Sequence, residues 1–172
     1  MSLLLGGVVA LGADPGAGTS SKAASELVAL MKSRNLDAIA APDPEQQDRF
    51  VAALLIPDVQ LLVVGATTTA PAYLQSQLAQ HLYRDAYSTL QSAAVLKTKL
   101  FFQDMGSDGL TEGGSLDIMY EHGTEQTVFD GDWKRQKISK AAYDKKLQKA
   151  DADYAKMLQL LIEALRAAPG AV

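Results

Sequence analysis

The sequence predicts an α+β domain: a six-stranded, mainly antiparallel sheet with flanking helices and a long C-terminal helix. Three observations carry this. Short apolar runs rich in Val, Ile and Leu lie close together and are parted by Pro and Asp, as in Leu36 to Ala66. Glycine-rich punctuation then separates further short runs between Leu96 and Phe129. Finally, from Tyr143 to Ala168 apolar residues recur in alternating steps of four and three, the spacing of a helix with one buried stripe.

Taken in chain order, Leu3 to Ala13 is an apolar run ending in Ala10, Leu11, Gly12 and Ala13, followed by Asp14, Pro15, Gly16, Ala17 and Gly18. It matches the hydrophobic core and small-residue end of a secretory signal but lacks the charged segment in front. Two readings stay open, a clipped export signal and a buried strand, and the linker-like residues behind it favour export to the periplasm or medium over the cytoplasm. At about eleven residues the run is too short to span a bilayer. Residues 1–19 are thus read as a leader and linker, and 20–172 as a single domain.

Ser20 or Ser21 is placed to cap a first helix carrying Ala24, Leu27, Val28, Leu30 and Met31 and ending near Asn35. Strands are expected over Leu36 to Ala40, Arg49 to Ile56 and Val59 to Ala66, broken by Pro42, Asp43 and Pro44 and by Pro57 and Asp58. After Thr67, Thr68 and Thr69, a second helical region places Leu74, Leu78, Leu82, Ala86 and Leu90 four residues apart. Leu96 to Gln103 reads as a strand and Met105 to Ser115 as a loop. Leu116 to Glu121 and Glu125 to Phe129 form a hairpin around His122 and Gly123, and Asp132 to Ile138 is expected to extend the sheet. Ser139 caps the last helix, which at about 1.5 Å per residue is roughly 45 Å long. It either lies across the sheet, the favoured reading, or is shared with a second subunit in a homodimer.

Composition excludes several classes. At 172 residues with 48% hydrophobic residues, the chain has material for a core without disulfides. Its net charge of -4 and acidic pI of 5.1 offer no field for nucleic acid. Lys140 to Arg166 holds its basic residues among Asp144, Asp151, Asp153 and Glu163, which makes a mixed, solvated face. The absence of cysteine removes thiolate nucleophiles and sulfur-rich zinc sites.

No catalytic constellation stands out, and neither catalytic nor metal-ligating residues are assigned. Gly12 to Lys22 is glycine-rich before a helix, but Thr19, Ser20 and Ser21 separate Gly18 from Lys22 where a phosphate-binding loop needs Lys at once. Asp104, Asp108, Gly109, Glu112 and Asp117 gather oxygen ligands on a glycine-rich loop, as hard cations prefer, yet calcium-loop spacing is not met and polar turns explain the same letters. His81 and His122 lack partners at zinc spacing. Gly-x-Ser-x-Gly is missing. Trp133 is expected to pack on the last helix, and Tyr83, Arg84, Asp85 and Tyr87 form a polar and aromatic group on the second helical region.

The order of elements from Ser20 to Ile138 resembles the flavin-binding split-barrel superfamily typified by pyridoxamine 5'-phosphate oxidase. The resemblance rests on Asp37 to Asp43, whose closing Ala-Pro-Asp is similar to the Ala-Thr-x-Asp of that family's first hairpin, and on Arg49 to Ala53 and Val59 to Gly65 as the next strands. It implies a split-barrel-like sheet and an FMN phosphate held at Arg49, Thr67, Thr68 and Thr69. Ala70 to His81 supplies no Arg or Lys where the family has one, so the resemblance leaves two expectations. The first is a non-catalytic domain binding a small ligand or a partner, and the alternative is an FMN-dependent oxidoreductase.

Overall fold

The computed structural model describes residues 19–46, 49–67, 100–110, 117–121 and 125–168. Among these residues two helices, α1 (Thr19–Ser33) and α2 (Lys140–Ala167), pack against a sheet of β1 (Ala38–Pro42), β2 (Phe50–Ile56), β3 (Leu61–Thr67), β4 (Leu100–Met105), β5 (Asp117–Glu121) and β6 (Glu125–Phe129). The strands lie side by side in chain order and every neighbouring pair is antiparallel. Among the described residues β1 and β6 are the two edges, so the sheet they form is open rather than closed into a barrel. This uniformly antiparallel order of the described strands is not the parallel sheet expected of a phosphate-loop fold, and Gly12 to Gly18 lie outside the described residues.

Alternation along each strand divides the side chains between two faces. Val51, Ala53, Leu55, Leu62, Val64, Phe102, Met119 and Phe129 face the helical layer and merge with Leu27 and Met31 of α1 and Tyr154, Leu158, Leu161 and Ile162 of α2. Ala52, Leu54, Val63, Phe101 and Tyr120 form a second buried cluster. In the latter, the Phe101 and Tyr120 rings, opposite each other on β4 and β5, stack at 4.3 Å. On the other side, Gly65 of β3 leaves room for Phe101, because a Cβ there would stand 2.7 Å from that of Phe101.

The ends of α1 differ in how they are satisfied. At its C-terminus, Asn35 takes a left-handed φ of 54°, the Leu36 N–H returns to the Met31 carbonyl and the Asn35 N–H to that of Lys32, a Schellman closure with Leu36 against the core. The N-terminus departs from expectation. Ser20 lies inside the helix, and its N–H donates to the Asp151 carboxylate of α2 at 3.0 Å, so a distant carboxylate satisfies a first-turn donor. Ser139 does cap α2, accepting from the Ala142 N–H.

Strand boundaries shift by one or two residues. Pro42 closes β1 instead of breaking it, and Pro57–Val59 form a 3-10 turn that delays β3 to Leu61. Asp132 to Ile138 does not extend the sheet. There the Asp130 and Asp132 carboxylates accept the N–H groups of Asp132 and Arg135, folding the chain into turns in place of a ladder. Trp133 is half-buried against the core within this corner. The second helical region, Leu96 to Lys99, both histidines and the N-terminal run lie outside the described residues. Among the described residues no helix is long and apolar enough to cross a membrane.

Candidate functional site

The turn between β1 and β2 is built by Asp43. Its N–H donates to the Arg49 carbonyl at 2.8 Å, and its Oδ1 accepts the Glu45 N–H at 2.9 Å. Arg49 is thereby set at the mouth of the hairpin, where Nη1 donates to Gln46 Oε1 and Nε lies 3.7 Å from Asp43 Oδ2. Across from it, Lys156 of α2 reaches Glu45 at 2.8 Å. The two ion pairs rim an open cavity of about 200 Å³ floored by Val51, Leu100, Met157 and Leu160. This is a cleft with an apolar base and fixed charges of both signs above it.

Of the residues expected to hold a flavin phosphate, the structure places Arg49 in this cleft. Thr67 pairs in register with Phe50, so its backbone lies at the same end of the β2–β3 ladder as Arg49. Thr68 and Thr69 lie outside the described residues. The Arg49 side chain is only 29% exposed and its guanidinium already faces Asp43, so an anion bound there must compete with a resident carboxylate. Lys156 was not singled out by sequence reasoning, because one lysine among many on a helix carries no signal; its partner Glu45 lies 111 residues earlier.

A second polar centre lies on the helical side of β4 and β5. The last pair in their register is Gln103 with Ile118, and the next step sets Asp104 opposite Asp117, both fully buried. After β4 the chain turns through Gly106, Ser107 and Gly109, all with positive φ, and returns Asp108 to the same place. Oxygens of Asp104, Asp108 and Asp117 come within 4.8 Å of one another. Asp104 accepts the N–H groups of Asp108 and Gly109 and the hydroxyl of Tyr154. Asp117 accepts the Met105 N–H. Burial pushes the Asp104 carboxyl up to about 6, against the Gly109 and Tyr154 donors and with the like charge of Asp108. Tyr154 is held well above its ordinary range by burial and by the Asp104 charge.

This loop is anchored to both helices. The Leu110 N–H donates to Ser20 Oγ, which in turn donates to Asp151 Oδ1 at 2.5 Å. Ser107 Oγ and the Gly106 N–H both reach the Gln60 carbonyl in the turn between β2 and β3. Glu112, grouped with these carboxylates on sequence, lies outside the described residues. Comparison with protein-family models, with curated proteins and with solved structures gives no match to this chain.

Proposed function

We propose that this chain is an exported, non-catalytic domain that binds a small, partly apolar anion in the cleft beneath Arg49 and Lys156. The observation that carries this is the convergence of the two cations on one apolar floor, from a hairpin on one side and a helix on the other. A ligand carboxylate or phosphate would displace Asp43 from Arg49, while its apolar part would cover Val51, Leu100, Met157 and Leu160. The cavity, about 200 Å³, falls below the ~300–1,000 Å³ usual for ligand pockets, which favours a ligand smaller than a whole flavin nucleotide. Export rests on the apolar run before Asp14.

The alternative is an FMN-dependent oxidoreductase, favoured by the register that brings Arg49 and Thr67 to one end of the sheet. Native mass spectrometry separates the readings and reports homodimers in the same spectrum. Retention of a small anion, lost in Arg49→Ala and in Lys156→Ala, is the expected result. An FMN mass promotes the oxidoreductase. A bare chain that also gains no thermal stability from a panel of small carboxylates and phosphates overturns the binding reading.

A further inference from the structure

We propose that Asp104, Asp108 and Asp117 hold one hard divalent cation of the calcium class, at a site separate from the Arg49 cleft. Three carboxylates have been brought together by independent routes: cross-strand register places Asp104 and Asp117, and the turn after β4 places Asp108. Like charges set opposite one another on neighbouring strands are destabilising, so a cluster of this kind calls for a positive charge. No Lys or Arg among the described residues pairs with Asp104 or Asp108.

A second observation points to a ligand. Asp108 Oδ1 is wholly shielded from solvent and has no hydrogen-bond partner, the sole side-chain oxygen of this kind among the described residues. A buried carboxylate oxygen without a donor is costly, and the neighbouring N–H groups of Asp108 and Gly109 are already given to Asp104. A cation satisfies it without any rearrangement of those donors.

The chemistry selects the ion class. All three residues offer oxygen, the donor that hard cations take. Ligands on opposite sides of a calcium ion, each at about 2.4 Å, stand about 4.8 Å apart, so a single ion can reach all three carboxylates. The turn between β4 and Leu110 would then be closed by the ion against Tyr154 of α2.

The test uses the full chain, stripped with chelator and titrated with calcium chloride by calorimetry. One calcium per chain is expected, with affinity at least tenfold weaker in Asp108→Asn and in Asp117→Asn. Terbium provides a geometric readout, because the Tyr154 hydroxyl lies 2.9 Å from Asp104 Oδ2 and its ring should sensitise emission from an ion at this place. That emission should be quenched by calcium and fall in Tyr154→Phe. A control guards against misfolding: in the absence of metal, Asp108→Asn should melt higher than the parent, because it removes a like charge. The proposal is overturned if the folded parent binds no calcium at millimolar concentration, if it binds only magnesium or manganese, or if Asp108→Asn binds calcium as the parent does.

Discussion

Asp104 illustrates how a side chain can be hydrogen-bonded at both oxygens and still unfavourably placed. Removal from water raises its carboxyl to about 6 from 3.8, despite three hydrogen-bond donors. Because the folded-state value is the higher one, the folded chain binds more protons than the unfolded chain between pH 4 and 6. Stability due to this group is therefore fully present below about pH 4 and is lost as pH rises through about 6, a change on the order of 3 kcal/mol. Urea midpoints of chelator-treated protein across this window should fall with rising pH, and Asp104→Asn should remove that part of the slope. Parallel profiles for the two proteins would show that another group titrates. Gly109 is constrained in a different way. Its φ is +84° and an added Cβ would lie 2.5 Å from Ser21 Cα, so Gly109→Ala should lose at least about 2 kcal/mol in denaturation, with strain and clash adding.

At the scale of elements, stability depends on which helix ends are served locally and which from a distance. Ser139 is a local cap, and its replacement by Ala should cost about 1 kcal/mol. Asp151 accepts both the N–H and the hydroxyl of buried Ser20 across 131 residues, so Asp151→Ala should cost more, about 2 to 4 kcal/mol, because it leaves buried donors unpaired. Equal losses in the two variants, read from equilibrium unfolding, would contradict this ranking. The difference also marks where sequence reasoning stops. α2 was legible because its cap and its stripe of Tyr143, Ala150, Tyr154, Met157 and Leu161 are encoded within one continuous segment. Ser20 was legible as a helix-start residue, but not as the bridge between Leu110 and Asp151, since neither partner is near it in sequence. The hairpin from Asp117 to Phe129 could be read from its alternation. The turns after Asp130 could not, because the same letters suit a strand until the carboxylates of Asp130 and Asp132 capture backbone donors. The carboxylates on β4 and β5 were visible in the sequence as grouped oxygen donors, while their convergence is set by a strand register that linear spacing does not encode. Arg49 stood out in the sequence only through the resemblance to a family; Lys156, which faces it across the cleft, becomes visible only once α2 is laid over the hairpin.

For the whole molecule, the decisive fact is that the first and last described elements pack on each other over the same sheet face. α1 and α2 pack against each other in the core that holds Leu27, Met31, Leu158 and Ile162, and an ion pair between Glu26 and Arg166 links the two helices at the surface. The buried stripe of α2 is thus covered within one chain, so a homodimer through this helix would have to use its polar side. The same arrangement predicts a single cooperative unit. Tyr143, Tyr154, Leu158, Leu161 and Ile162 are fully buried, and burial of each such side chain contributes roughly 1.5 to 3 kcal/mol. Their sum is comparable to the ~5–15 kcal/mol of net stability of a whole domain. Removing α2 would also strip cover from Phe102 and Phe129 and take away the Tyr154 donor from Asp104 and the Asp151 acceptor from α1. A chain ending at Ser139 is therefore expected to show no sigmoidal urea transition, while the full chain shows one transition that coincides by far-UV and aromatic near-UV circular dichroism. Hydrogen exchange should give α1 and α2 the same opening free energy, since neither helix can leave the sheet without exposing the other. Survival of a cooperative transition in the truncated chain, or exchange in α2 at a much lower free energy than in α1, would instead divide the fold into a self-sufficient sheet and a detachable helix.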